Sequence, residues 1–369
     1  MKIISTYTSA RTAAAVSHRT LFALFLESAK LRFSSPGRLG FTEYLDLALY
    51  RSDWYGAETK EAFAGWRLIR KIENSGVVNG TAWRVFGADK LTFSQICQSA
   101  GIPVPTIFAL YTCGHREVGS IYKARTAQDL VKHLSNQGIA VAFLKPVQGI
   151  YGRGAHILEL REEDRLTLSV KSSNGVKEMH VGSYQEYLVA IAGRHAQVLC
   201  QEVLQPHPAL AELTGGGISG VRCGIVKKDD VATCYMAVLK VNNGANVTDN
   251  FEHGESGNLL ANIDLKTGRV DRVLSNTGLL AIEIQKHPLT RMPILDFHVP
   301  FWHEIVSMAM RVVEVFPGIR LAGVDIGITP AGPVVFEINT PGDFDLLQLA
   351  ARKGVLSIEE VRELCKSLL

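Results

Sequence analysis

The sequence predicts an α+β fold with a helical N-terminal region, on three observations. Up to about residue 85, apolar residues recur at helical spacing without a strand-like run. Between 106 and 241, short apolar strand-like runs alternate with helical stretches. Near the C-terminus two apolar runs flank the turn signal Pro330-Ala331-Gly332-Pro333, the pattern of a β-hairpin. With no strand at the start, the pattern argues against a Rossmann-type βαβ opening. A chain of 369 residues exceeds one ordinary core, so two or three subdomains are expected.

In chain order, residues 1–26 are rich in Ala, Ser and Thr and have no acid before Glu27. That composition resembles an organelle transit peptide, but the apolar part, Leu21 to Leu26, is too short for a secretory signal, and a packed helix is the expectation. Helices follow at Thr42 to Tyr50 and Glu58 to Lys71, then from Asp89 to Gly101, where Ile102-Pro103-Val104-Pro105 stops the run. Strands are expected at Thr106 to Tyr111 and Val141 to Pro146, with a helix from Ala127 to Gln137 between them. A polar hairpin near Ser172-Ser173-Asn174-Gly175 leads to a helix around Gly182 to Ala192 and a strand at Ala196 to Cys200. Strands at Gly220 to Lys227 and Val231 to Val241, a helix from Phe301 to Val315, the hairpin, and a helix from Ile358 to Ser367 complete the chain.

The hydrophobic fraction of 47% and charged fraction of 20% are those of an ordinary globular protein. A net charge of +3 predicts no bulk attraction to nucleic acid or membrane, so any basic site is local. Six cysteines without a CxxC pair read as buried thiols of a reducing, cytoplasmic compartment rather than a disulfide framework.

Chemistry concentrates at a few points. In the hairpin, Glu337 and Asn339 share a strand face while Phe336 and Ile338 take the other, and Asp325 sits on the preceding strand. Two carboxylates and an amide suit a hard cation such as Mg²⁺; a solvated polar face is the plainer reading of the same pattern. Lys145 ends a strand before a loop with glycines at 149, 152 and 154, which lets backbone N–H groups approach phosphate oxygens. The spacing is neither a P-loop nor a dinucleotide fingerprint. Lys90 opens a helix, and Glu202 to Leu204 follows a buried strand.

In this order, Asp89-Lys90, Lys145-Pro146 with its glycine loop, Gln201-Glu202-Val203-Leu204, and Asp325 with Glu337-Ile338-Asn339 resemble the ATP-grasp superfamily. The stretches Leu204 to Leu210, Asp249-Asn250-Phe251, Lys266-Thr267-Gly268, His287-Pro288 and Gly323-Val324-Asp325 narrow the resemblance to the sugar-transfer associated ATP-grasp family, related to the α-L-glutamate ligases. The resemblance implies two α+β subdomains that clamp ATP, here residues 86–200 with the glycine lid and 201–369 with the metal site, behind the helical region 1–85. It gives Lys90 and Lys145 to the ATP phosphates, with the loop from Gln148 through Gly149 and Gly152 to Gly154 closing over them. It gives Glu202 and Leu204 to adenine, and His207 to a ribose or substrate contact, with a structural histidine as the other reading. Asp325, Glu337 and Asn339 become ligands of Mg²⁺, or of Mn²⁺ in its place, and Arg222 lies near the transferring phosphoryl group. Two departures stand out. Gly216-Gly217-Ile218-Ser219-Gly220 replaces the family's Ser-Ser-x-Asn-Thr-like run, and Glu255 stands at a usual glycine.

The activity so implied is a carboxylate–amine ligase working through an acyl phosphate. Its partners are two small molecules, a carboxylate and an amine, and the chain pairs as a homodimer. A small-molecule kinase and a non-catalytic nucleotide-binding partner are the alternatives. Within the ligase reading, Asn250, His253 and Glu255 face the amine, with His253 as its proton acceptor.

Overall fold

The computed structural model describes residues 2–149, 152–161, 167–192 and 197–369, except the side chains of 2–5 and 253. The chain begins with helices α1 (Lys2–Val16), α2 (Leu21–Phe33), α3 (Phe41–Asp46), α4 (Ala57–Glu61), α5 (Trp66–Ser75), α6 (Val85–Ala88) and α7 (Lys90–Ser99). The helices expected over Thr42 to Tyr50 and Glu58 to Lys71 are shorter. Gly56 and Gly65 each stand at a helix N-cap and restart the chain, so the second run divides into α4 and α5.

Strands β1 (Ile107–Thr112), β2 (Tyr122–Ala124), β3 (Val141–Pro146), β4 (His156–Leu160), β5 (Thr167–Ser172), β6 (Gly175–His180) and β7 (Gln197–Gln201) form the first sheet, in the order β2-β1-β7-β3-β4-β5-β6. Helices α8 (Ala127–Asn136) and α9 (Val181–Ala192) cover it, with Leu130, Leu134, Tyr184 and Leu188 in a common core with Leu144, Leu158 and Val198. The polar hairpin expected near Ser172 to Gly175 is β5–β6, of which β6 is largely exposed; the short strand β2 had no continuous apolar run to announce it.

After α10 (Pro208–Thr214) come β8 (Gly220–Lys228), β9 (Val231–Val241), β10 (Leu259–Ile263), β11 (Val270–Ser275), β12 (Ile282–Glu283), α11 (Trp302–Val315), β13 (Leu321–Thr329), β14 (Gly332–Asn339), α12 (Phe344–Ala351) and α13 (Glu359–Cys365). The second sheet runs β12-β11-β10-β9-β8-β13-β14, with neighbouring strands antiparallel. Its two faces have different fates. Val221, Cys223, Ile225, Val324 and Ile326 pack under α11, joined by Phe93 and Cys97 of α7. On the other face Val226, Met236 and Val238 meet the N-terminal helices and α12–α13 in a second core. The rest of that face is the floor of a cleft against the first sheet.

The helical N-terminal region therefore shares its core with the C-terminal helices. Gln348 of α12, fully buried, is the polar link: its Oε1 accepts from the backbone N–H of Ala64 (2.8 Å) and of Val355 (3.1 Å), and its Nε2 donates to the Ala64 carbonyl (2.9 Å). Among the described residues no helix is long and apolar enough to cross a membrane, and all six cysteines are unpaired, with Cys97, Cys200, Cys223 and Cys365 buried.

Replacing Gln348 with Leu keeps the volume but strands three backbone groups away from water. Unfolding in urea should show a loss of about 3 kcal/mol or more, since each orphaned group costs about 1–3 kcal/mol. An unchanged midpoint would mean that the two regions are held without this link.

Candidate functional site

Side chains alternate faces along a strand, so the residues flanking Arg222, Asp325 and Lys240 enter the core under α11 while these three turn to the cleft. Arg222 and Asp325 are directly opposite in the ladder. The guanidinium holds the carboxylate with two parallel bonds, Nε to Oδ1 at 2.8 Å and Nη2 to Oδ2 at 2.7 Å, while Nη1 reaches Asp343 at 3.1 Å. Lys240 Nζ lies between two carboxylates, 3.2 Å from Asp249 Oδ1 and 3.3 Å from Asp325 Oδ2.

Arg222, Lys240, Asp249 and Asp325 are all buried, and their charges survive by compensation. Burial pushes Asp325 up, but the Arg222 and Lys240 charges overcome it and hold the carboxyl well below the usual carboxylate range. Burial lowers Lys240, and Asp249 and Asp325 bring it above the ordinary lysine value. Asp249 has the weaker support: burial raises its carboxyl despite Lys240, and its Oδ2 has no hydrogen-bond partner.

On β14, Glu337 is directly opposite Asp325, and Asn339 opposite Gly323; Asn339 Nδ2 donates to Asp325 Oδ2 at 3.4 Å. The hairpin thus brings Asp325, Glu337 and Asn339 together. Phe336 corrects the alternation expected from sequence. The ladder passes from Glu337 to Val335 across a bulge, leaving Phe336 unpaired and turned into the same cleft as Glu337. Gly327 makes room for it, because a Cβ there would strike the ring.

The lysines come from the other wall. Asp89 caps α7 by accepting from Thr92 N (2.8 Å) and is gripped by Arg116, fixing where Lys90 emerges. Lys90 Nζ donates to Gly149 O at 2.7 Å and lies 3.6 Å from Glu337 Oε2. Lys145, at the end of β3, is pushed down to about 8, by burial first and by Lys90 second, with Glu337 opposing.

These groups meet in a cavity of about 310 Å³ between the sheets, lined by Lys90, Lys145, Phe336 and Glu337 together with Gln201 to Leu204. Gly152, at φ +66°, touches the 248–250 segment so closely that a Cβ would collide with Asn250 Nδ2, bringing the glycine loop against the opposite wall. Ile150 and Tyr151 of that loop lie outside the described residues. A second cavity, about 620 Å³, shares Lys90, Gly149, Lys240, Asn250 and Glu337 with the first, and extends past Arg222 to α5 and α12.

Several expected residues fall elsewhere. Gln148 and Gly154 border the loop but line neither cavity. Glu202 lines the first cavity, yet its Oε1 accepts from Thr106 N at 2.6 Å; Gln201 beside it is buried, with Nε2 unpartnered. His207 caps α10, its Nδ1 accepting from Ala209 N at 3.2 Å, and stacks edge-on against Phe301, outside both cavities. That is the structural histidine of the two readings. Glu255 is exposed and lines neither cavity, because a short turn at Glu252–Gly254 carries it away; Glu252 lines the second cavity instead. The side chain of His253 lies outside the described residues. Lys240 and Asp343 were not identified as site residues from sequence, and Asp249 only as part of the stretch Asp249-Asn250-Phe251. Lys240 carried a signal, being the one charged residue in the strand Val231–Val241. Among the described residues no group of three His, Cys, Asp or Glu is arranged to hold a metal ion.

The sugar-transfer associated ATP-grasp family matches this chain over residues 74–363. No curated protein matches it. Among solved structures, similar chains include a biotin carboxylase–β-gamma-ATP complex from Campylobacter jejuni, with 12% identity and a TM-score of 0.45 over 79% of this chain and 48% of that one. The D-alanine-D-alanine ligase from Coxiella burnetii has 11% identity and a TM-score of 0.41, over 78% of this chain and 58% of that one. A D-cycloserine synthetase has 12% identity and a TM-score of 0.43, over 83% and 82%. The chain thus spans about half the length of the first of these and under two thirds of the second.

Arg222→Ala leaves Asp325 buried with less of its compensation, so it should cost about 3–5 kcal/mol in urea unfolding. Adding Asp325→Asn should recover a large part of the loss. A double variant as unstable as the sum of the two single ones would show that the pair is not coupled.

Proposed function

The chain belongs to the sugar-transfer associated ATP-grasp family, and from that membership we propose that it is an ATP-dependent ligase that joins a carboxylate to an amine through an acyl phosphate. The observation that carries the reading is the pair of cavities with a common floor. A nucleotide in the first, its phosphates at Lys90 and Lys145, would present its terminal phosphate to whatever occupies the second. The backbone of Val203 and Leu204, which line the same cavity beside the buried Gln201, would meet a base edge.

The donors suit a hard cation such as Mg²⁺. Asp325, Glu337 and Asn339 are oxygen-bearing and converge, Asp325 is held ionised, and among the described residues its Oδ1 accepts only the Arg222 Nε bond, which leaves lone-pair capacity. Bound there, Mg²⁺ would draw negative charge from phosphate oxygens. The chain's own groups do the rest. A carboxylate oxygen attacks the γ-phosphorus, the P–O bond to ADP breaks, and Lys90 and Lys145 neutralise the oxygens that gain charge. Arg222 keeps Asp325 ionised and oriented. The amine nitrogen then attacks the acyl carbon, the C–N bond forms, and phosphate departs with the electron pair of the broken C–O bond.

Two measurements test this. Hydroxylamine with ATP and a panel of amino acids and other small carboxylates should yield an acyl hydroxamate together with ADP. Lys145→Ala and Glu337→Ala should each lower that rate on the order of 100-fold while the fold is kept; a Glu337→Ala rate within about threefold of wild type contradicts the assignment. Lys145 supplies the second. With its ammonium at about 8, roughly half is neutral at pH 8, and arriving phosphates favour the charged form. Binding of AMP-PNP at pH 8 should therefore take up about half a proton, read calorimetrically in buffers of different ionisation enthalpy. Uptake that persists in Lys145→Met would assign the proton to another group.

A further inference from the structure

We propose that the second cavity receives a primary amine carried on an apolar body, and that the Asp345 carboxylate accepts the proton the ammonium must lose; this rests on the ligase reading above. The cationic side chains of its floor are already matched. Lys90 lies beside Glu337, Lys240 between Asp249 and Asp325, and Arg222 holds Asp325 and Asp343. Three carboxylates that line the cavity, Asp345, Glu73 and Glu252, have no ion-pair partner among the described residues. Arg84, the remaining cation of the wall, donates to the Glu73 carbonyl and has no ion-pair partner among the described residues, so three unpaired carboxylates against one guanidinium leave the cavity net negative. The apolar part of the wall comes from the N-terminal region and α12: Trp66 and Ile69 of α5, Val85 of α6, and Leu346. Trp66 is 37% exposed there, a free aromatic face for an apolar body or a cation.

Asp345 sits in the first turn of α12. Burial first, then Asp343, Glu43 and Asp46 push its carboxyl up to about 7. The groups that face it are thus acidic on both sides, Glu43 and Asp46 from α3 and Asp343 from the segment before α12. Glu43 is itself tied to the cavity wall, accepting from the backbone N–H of Trp66. An ammonium entering this place relieves the like-charge repulsion. It then transfers one proton to the Asp345 carboxylate, giving neutral amine and carboxylic acid. The freed nitrogen lone pair forms the C–N bond, the acyl C–O bond breaks, and the second N–H proton leaves with the phosphate as hydrogen phosphate.

The test uses the full chain with phenethylamine, an ammonium on an apolar body, and 3-phenylpropionate, its carboxylate counterpart, as probes. Phenethylamine stays protonated from pH 6 to 8, while Asp345 passes from mostly neutral to mostly ionised. Its affinity should fall about tenfold as the pH is lowered from 8 to 6, following the ionised fraction of a group near 7. Asp345→Asn should weaken binding at pH 8 by about tenfold or more and flatten the pH profile. Glu252→Gln, at an exposed position, should weaken it by a smaller factor and keep the profile. Stronger binding of 3-phenylpropionate, or a pH profile unchanged in Asp345→Asn, overturns the proposal. AMP-PNP binding is measured in parallel on wild type. Its failure with amine binding intact removes the ligase reading and the proton step with it, whereas its success with amine binding absent removes the amine site alone.

Discussion

The bond pair between Arg222 and Asp325 is the constraint on which the rest of the site depends. It joins two strands in which nearly every residue is buried, and a carboxylate there is tolerated only because a guanidinium one strand away meets both its oxygens. Lys240 adds a second positive charge and connects Asp325 to Asp249. Such a floor is rigid, since each charge is fixed by partners on strands of the same sheet. Lys90 and Lys145 approach from the other wall, where Lys145 is partly desolvated and less completely compensated. The site as a whole therefore has a preorganised acidic-and-basic floor with positive charge above it, an arrangement that favours an incoming polyanion.

Much of this architecture was legible in the sequence because its signals are local. Strand β3 runs over Val141–Pro146 as expected, β8 and β9 lie within a residue of their expected ranges, and the Pro330–Pro333 turn joins β13 to β14. The convergence of Asp325, Glu337 and Asn339 followed from period-two alternation across one hairpin. Alternation could not foresee the bulge at Phe336, because an extra residue in one strand is defined only by its partner strand. The same limit explains Glu202 and Gln201. Gln201 ends β7 and Glu202 follows it, and which of the two meets Thr106, just before β1, is invisible in one dimension. His207 was open between a ribose or substrate contact and a structural role; it caps α10, and the following Pro208 stands at the first helical position.

The helical N-terminal region was the least legible part. Its periodicity gave helices but no destination for them. In the folded chain they share a core with α12 and α13, and α5 becomes a wall of the second cavity. This contribution explains why the expected amine-facing loop was misjudged at Glu255. A polar loop reads as a site when the true wall, supplied by residues nearly two hundred positions earlier, cannot be seen.

The central claim is that the terminal phosphate of ATP passes to a carboxylate, and isotope transfer tests it most directly. Small carboxylates labelled with ¹⁸O at both oxygens are incubated with the protein, ATP, Mg²⁺ and an amine, and the inorganic phosphate is examined by mass. Phosphate carrying one ¹⁸O atom is the predicted result, because the bridging oxygen of an acyl phosphate leaves with phosphorus when nitrogen attacks the carbon. Unlabelled phosphate, or phosphorus retained on an organic product, would contradict the account.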